Sequence, residues 1–326
     1  MRLPNIIYNY SINQIYFLFK RIIDQRLRID LGNTLIDLLS ETDDYKCYVY
    51  GGFIRNAFDN KGYGDIDFRL ITKASIDHTS RNLEKILHNC GKKLFNIEIN
   101  SQNNQKCLVH KYIFGKNLYS KTCDFTLMSN FFDLPTDFTV NSIFYDLKTK
   151  RLFDPFYGIW DIKNRSLRTC QDPYKSFKQE GGRLIFRLIN TSAKIGYKIN
   201  KNSFKAITEN RTIIDKYLKK MKYSDNDYDR LYASKIFDSL EKTPKTFINL
   251  LIVSGVMENI LSFLGMRLKI SKKNKLKLFQ NPFYVDAEDP NNKNVFIISL
   301  MKYFSVSLDN AFVKNIISVS LGIKED

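Results

Sequence analysis

The hydrophobic period changes along this chain, and that change constrains the fold more than any single motif. Residues 11–30 carry apolar side chains at helical spacing, and 33–41 repeat the pattern from Asn33. From residue 47 the period drops towards two. CYVY (47–50), GDIDFRLI (64–71), NIEIN (96–100), KCLVHKYIF (106–114) and KTCDFTLM (121–128) read as strands, with helical stretches over 53–58 and 76–91. From Asp137 the helical spacing returns, first in DFTVNSIFYD (137–146). RLFDPFYGIWDI (151–162) reads as a turn-rich connection, and from Glu180 the chain is mostly helical. The expected fold class is α+β: an N-terminal head with a mixed or antiparallel sheet of four or five strands, then an all-helical neck and body. The expected divisions are 1–146, 147–222 and 223–326.

Charge narrows the partners. The 326 residues hold 51 Lys and Arg against 34 Asp and Glu, a net charge of +17. Such a balance favours a polyanion, and nucleic acid is the commonest one. Residues 148–222 alone carry 19 basic and 6 acidic residues, a net +13. A strip this dense suits a phosphate backbone; a solvated helix face is the alternative.

Other classes fall away. The five cysteines are odd in number and irregular in spacing, a poor disulfide framework that points to a reducing compartment, the cytoplasm. Residues 1–23 lack acids and carry Arg2, Lys20 and Arg21, so a mitochondrial leader is the weaker alternative, the stretch being aromatic and poor in serine. No apolar run reaches the ~18 residues of a membrane span; the stretch from Phe247 is interrupted by Ser254, Gly255 and Glu258. The three histidines stand in no nucleophile motif. His88 and Cys90 with Cys107 and His110 have a metal-like composition but the wrong spacing for zinc. The aromatics at Tyr8, Tyr10, Tyr16, Phe17 and Phe19 are expected in the core.

Chemistry concentrates around one turn. A strand ends in Gly51-Gly52, a short helix carries Arg55, and the next strand carries Asp65 and Asp67. The two glycines allow a tight turn and close approach of a ligand to the backbone. Amides at the helix start, with Arg55 one turn in, favour an anion such as phosphate. Asp65 and Asp67, at i and i+2 on a strand, project from one face. Adjacent carboxylates repel unless a cation lies between them, and with oxygen donors beside a phosphate site Mg²⁺ is the natural choice. Asp124, on a later alternating strand, offers a third carboxylate. A solvated strand face is the alternative reading of all three acids.

These residues carry a resemblance. YVYGGFIRNAF…GDIDF resembles the G-G-x-V-R-D…D-x-D signature of the class II nucleotidyltransferases, the tRNA CCA-adding enzymes and bacterial-type poly(A) polymerases. DFTVNSIFYD is similar to R-R-D-F-T-I-N-A, and LFDPFYGIWDIKNRSLR to D-P-x-G-G-x-x-D-L…L-R. QEGGRLIFRLINTSAKIGYKI is similar to E-D-P-x-R-I-L-R-A-x-R-F-A-x-x-L-G-F, and weaker similarity continues to Leu264. The resemblance implies a polymerase-β-like head that adds AMP or CMP, from ATP or CTP, to an RNA 3′ end. The product would be a CCA end on tRNA or a poly(A) tail. Gly51, Gly52 and Arg55 would hold the triphosphate, and Asp65 and Asp67 would bind Mg²⁺. Asp124 would complete the catalytic acids. Asp137 and Asn141, four apart on a predicted helix, would recognise the ribose. Glu180 and Arg183 would take the places of the family's base-reading Asp and Arg.

The departures are specific. Asn56 replaces an Asp, Pro135-Thr136 replace an Arg pair, Gly181-Gly182 replace a Pro-x step, and Phe186 replaces an Arg. A full tRNA-measuring tail is not expected after Leu264. Metal binding therefore looks retained and base selection altered. A non-catalytic RNA-binding relative, serving as a subunit of an RNA-processing complex, is the rival expectation.

Overall fold

The structure is a computed structural model. It describes residues 12–59, 61–62, 65–89, 94–102, 105–114, 121–129, 137–223 and 243–263. The chain divides into two compact units, residues 1–164 and 165–326.

The first unit opens with two helices. In α1 (Ile12–Leu31), Phe19, Ile23, Leu27 and Leu31 recur every fourth residue and all are buried. They form the stripe that a 3.6-residue period demands of a half-buried helix. Gly32, at φ 85°, ends this run and begins α2 (Asn33–Glu41), which buries Leu35, Ile36 and Leu39. Phe19 stacks on Phe58 with 3.6 Å between ring centroids. Phe17 is exposed, against the expectation of a core position: it lies two residues from Phe19 and so on a different side of the helix. Tyr8 and Tyr10 lie outside the described residues.

The sheet contains β1 (Tyr45–Tyr50), β2 (Asp65–Thr72), β3 (Leu94–Gln102), β4 (Gln105–Phe114), β5 (Lys121–Met128), β6 (Phe144–Asp146) and β7 (Arg151–Phe153). Their order is β3-β4-β5-β2-β1-β6-β7. Only β2 and β5 run parallel; every other neighbouring pair is antiparallel. The sheet is thus mixed, with two more strands than the pattern suggested. Helices α3 (Gly52–Phe58) and α4 (Ile76–Asn89) join β1 to β2 and β2 to β3.

Alternation sorts the sheet's two faces. Ile66, Phe68 and Leu70 are fully buried, as are Val49, Cys123, Phe125 and Leu127, and Phe68 stacks on Phe125 at 4.6 Å. Burial pushes the Cys47 thiol, on this same face of β1, far above its ordinary range. Asp65, Asp67 and Arg69 occupy the opposite face of β2.

One segment departs from its expected structure. DFTVNSIFYD is not a helix. It forms a single 3₁₀ turn at Thr139–Asn141 and then β6, which pairs with β1. Phe138, Val140, Ile143, Phe144 and Tyr145 are all buried, so helical spacing of apolar residues carried no information about which face was inside. The connection 151–162 is likewise ordered as β7 and α5 (Gly158–Lys163). Because β7 pairs with β6 and α5 packs on the 3₁₀ turn, the first unit extends to Asn164 and does not end at residue 146.

The second unit is helical. It contains α6 (Pro173–Glu180), α7 (Gly182–Ile195), α8 (Lys201–Glu209), α9 (Arg211–Tyr223), α10 (Pro244–Val253) and α11 (Val256–Phe263). A two-residue parallel pair, β8 (Ser166–Leu167) with β9 (Lys198–Ile199), ties its start to the end of α7. The helix starts follow capping rules: Asp172 accepts from the Lys175 amide ahead of Pro173, and Asn200 accepts from Asn202. No described helix is long and apolar enough to cross a membrane. Most of the expected body, 223–326, lies outside the described residues.

Candidate active site

The turn between β1 and α3 is built on Gly51, at φ 80° and ψ −150°, a conformation open to glycine alone. A Cβ at this position would collide with the Asp67 carboxylate. Tyr50 pairs directly with Asp67 across β1 and β2, which is why the turn lies against that acid. The glycine turn and the acid pair are therefore in contact.

Asn141 locks this arrangement from the other side. Its carbonyl accepts the Gly51 N–H at 3.1 Å, and its side-chain oxygen accepts from Arg55 Nη1 at 2.6 Å. Asn56 takes the remaining edge of the guanidinium, accepting from Nε at 3.1 Å and Nη2 at 2.9 Å. Asn56 Nδ2 in turn donates to the Gly62 carbonyl at 2.7 Å. Two neutral amides, those of Asn141 and Asn56, thus orient the guanidinium, where the resembled motif has an Asp at position 56.

The turn that carries Asn141 is itself braced. Thr139 Oγ1 donates to buried Asp161 at 2.5 Å, and Gly158 lies so close to the Thr139 carbonyl that a Cβ would overlap it. Asp154 accepts from the amides of Gly158 and Ile159 at 2.7 and 2.9 Å and so caps α5. Burial raises the Asp154 carboxyl above its ordinary value, against those same amides. The D-P-x-x-G-x-x-D run thus serves as a clamp on the turn.

Asp65 is exposed and Asp67 half-buried on one face of β2. Asp124 lies beside Asp67 in the parallel β2–β5 register. Among the described residues no three His, Cys, Asp or Glu side chains converge in metal-holding geometry. Asp65 and Asp67 are the two carboxylates that strand alternation places on one face, and a hard divalent cation would take oxygen donors of this kind. Asp137 precedes the 3₁₀ turn and shares no helix face with Asn141, a correction that follows from β6 replacing the expected helix.

Arg69 was not legible as a site residue. It follows Asp67 by two positions on the same face, is 2% exposed, and lies over the rings of Tyr50 at 4.6 Å and Phe144 at 5.1 Å. Burial, then the Asp67 charge, pushes the Tyr50 phenol upward, while Arg69 and hydrogen bonds with Arg69 and Thr126 oppose the shift. A buried cation therefore stands beside the acids on their own strand face.

In the second unit, Glu180 and Arg183 form an ion pair. They do not share one helix: Glu180 ends α6, Gly181 breaks the chain at φ 71°, and Arg183 lies in the first turn of α7. Gly182 is required by packing, because a Cβ there would meet Tyr217 Cβ at 2.5 Å. The Gly181-Gly182 step thus has a structural cause in the close approach of α9. Cys90 lies outside the described residues, and nothing in the described set joins His88 to a metal cluster.

The strand–glycine turn–helix–acid strand arrangement, braced by the Asn141 turn, is the one the sequence resemblance to nucleotidyltransferase heads implies. Comparison with known proteins agrees. Residues 47–168 match the poly A polymerase head domain family. A CCA-adding enzyme of Geobacillus sp. (strain WCH70) is 29% identical over 181 residues, covering 52% of this chain and 42% of that protein. The chain thus matches less than half the length of that relative. The Thermotoga maritima CCA-adding enzyme complexed with tRNA has a TM-score of 0.56 at 15% identity, covering 94% of this chain and 70% of that one. A tRNA nucleotidyltransferase complexed with a primer tRNA and an incoming ATP analogue has a TM-score of 0.54 at 14% identity, with 87% and 82% covered. At such identities the structures establish a shared fold. Residues 47–168 are thus similar in sequence to the poly A polymerase head domain family, and the chain shares the fold of the CCA-adding enzymes.

Arg69→Ala should lower the free energy of unfolding by about 2–4 kcal/mol, since it removes a desolvated cation from two rings and leaves a void. Arg69→Lys should recover only part of that loss, because an ammonium cannot stack as a planar guanidinium does. Urea unfolding of the full chain measures both; an unchanged midpoint for Arg69→Ala would contradict the role assigned to the stack.

Proposed function

We propose that this protein transfers AMP or CMP from ATP or CTP to the 3′ end of an RNA, with tRNA the first substrate to test. The observation that carries the reading is the contact between the Gly51 turn and Asp67, which brings a glycine turn at a helix start beside two carboxylates. Structures of CCA-adding enzymes with tRNA or with CTP, and of a tRNA nucleotidyltransferase with a primer tRNA and an ATP analogue, support the same choice of partners.

The roles follow from position. Gly51 and Gly52 admit phosphates close to the backbone, and Arg55, oriented by Asn141 and Asn56, meets their charge. Asp65 and Asp67 are the residues that would hold Mg²⁺. Bound there, Mg²⁺ would neutralise phosphate charge and favour ionisation of the attacking hydroxyl. Asp124, in register beside Asp67, adds negative charge to the same strand face. In the reaction the RNA 3′ oxygen bonds to the α-phosphorus, its proton passes to solvent, and the bond to the leaving pyrophosphate breaks. Free thiols at Cys47, Cys123 and Cys170 accord with a cytoplasmic setting.

Base choice is assigned to Glu180 and Arg183. Adenine and cytosine both carry an exocyclic amine that a carboxylate can accept from; guanine and uracil present a carbonyl at that edge. An unpaired buried group costs roughly 1–3 kcal/mol, so ATP and CTP should be preferred by about 5- to 150-fold. Glu180→Ala should flatten that preference without abolishing addition. Single-nucleotide incorporation with each of the four triphosphates reads this out, and equal use of all four by the unaltered protein would remove Glu180 and Arg183 from base selection.

Asp65→Ala and Asp67→Ala should each abolish incorporation of labelled ATP or CTP into RNA while leaving the melting temperature nearly unchanged. Asp65 is exposed and Asp67 half-buried, and neither belongs to the apolar core. A folded double variant with full activity would contradict the catalytic assignment; an inactive wild type that still binds RNA would favour the non-catalytic relative.

A further inference from the structure

The edge of the head unit near α5 exposes aromatic surface that the proposed chemistry does not use. Tyr157 is 72% exposed and Trp160 54% exposed. They lie three residues apart around the first turn of α5, which the Asp161 amide closes by donating to the Tyr157 carbonyl at 3.2 Å. Trp160 is the only tryptophan in the chain.

Packing does not explain Tyr157. Its backbone is left-handed, at φ 59° and ψ 36°. The motif that this stretch resembles has glycine at this place, where the conformation carries no steric cost. A side chain with a Cβ costs about 1–2 kcal/mol there. An exposed ring recovers little of that by burial. Strain kept at an exposed position is a reason to look for a ligand.

Charge identifies the kind of ligand. The two acids of this stretch are turned to structural work: Asp154 accepts from the amides of Gly158 and Ile159, and Asp161 is buried against Thr139. Lys150 and Arg151 are exposed on the β6–β7 turn, and Lys163 is half-buried at the end of α5. Helix α5 therefore carries an exposed ring at Trp160 and a cation one turn on at Lys163, with the acids of this stretch withdrawn. Unpaired bases stack on rings of this kind while neighbouring cations meet their phosphates.

We propose that Tyr157 and Trp160 form a stacking platform for unpaired bases of single-stranded RNA on the head unit. The choice of RNA rests on the function proposed above; the platform itself rests on the exposed, strained aromatic pair. Because α5 packs on the turn that carries Asn141, RNA held here would lie on an element that braces the candidate active site.

The test titrates the full-length protein with a single-stranded oligoadenylate at several salt concentrations, following Trp160 fluorescence. Binding should quench the emission, and an RNA duplex should not. Tyr157→Gly should weaken binding by about 5- to 150-fold, the range for loss of one stacked base. It should leave the slope of log affinity against log salt unchanged, because no phosphate contact is lost. Its melting temperature should stay within a few degrees of wild type, and Tyr157→Phe should keep the affinity. If RNA binds but Trp160 emission does not move and Tyr157→Gly binds equally well, the platform is overturned and the face is left to a protein partner, while RNA binding stands. If the wild type binds no RNA at any salt, both readings fall.

Discussion

Asn141 holds the backbone of the Gly51 turn with its carbonyl and the Arg55 guanidinium with its side chain. Everything proposed for a triphosphate depends on that double hold. Without it the glycine turn would keep its freedom and the cation would have no fixed direction. The hold is transmitted: Asp161 fixes Thr139, Gly158 lets α5 approach the Thr139 carbonyl, and Asp154 caps α5. A chain of single hydrogen bonds, each contributing about 1 kcal/mol, thus sets the geometry of a site far more than it sets stability.

On the opposite side of the turn, the constraint is steric. Gly51 leaves no room for a Cβ beside Asp67, and Tyr50 pairs with that acid across the strands. Arg69 lies on the same strand face, against Tyr50 and Phe144. A buried cation two residues from Asp67 lowers the electrostatic cost of gathering carboxylates on this face. The acids are therefore flanked by a glycine turn and by a cation further along their own strand.

How much of this was legible in the sequence depended on whether a face was open. Along β2 the alternation of Ile66, Phe68 and Leu70 with Asp65 and Asp67 was clear, because one face is apolar and the other is not. The strands β1, β2, β4 and β5 and helices α2 and α3 follow from that kind of contrast. Around Asn141 the contrast vanishes: Phe138 through Tyr145 are buried nearly throughout, and a 3₁₀ turn followed by a strand imitated a helix. Arg69 was hidden for another reason. A charged residue at an alternating strand position reads as solvent-facing, and only the tertiary approach of Phe144 covers it. In the second unit, Gly181-Gly182 read as a loosened helix start; the structure shows instead a helix junction cut to fit Tyr217.

The central claim is that the glycine turn and the acid pair are one site. It is tested most directly by the affinity of a non-hydrolysable ATP analogue, measured with Mg²⁺ by calorimetry for wild type, Gly51→Ala, Asp67→Ala and the double variant. If the two form one site, each single change removes most of the Mg²⁺-dependent affinity and the double variant is little worse than either. Losses that simply add, or binding that ignores Mg²⁺, would show that the turn and the acids act apart and would contradict the account.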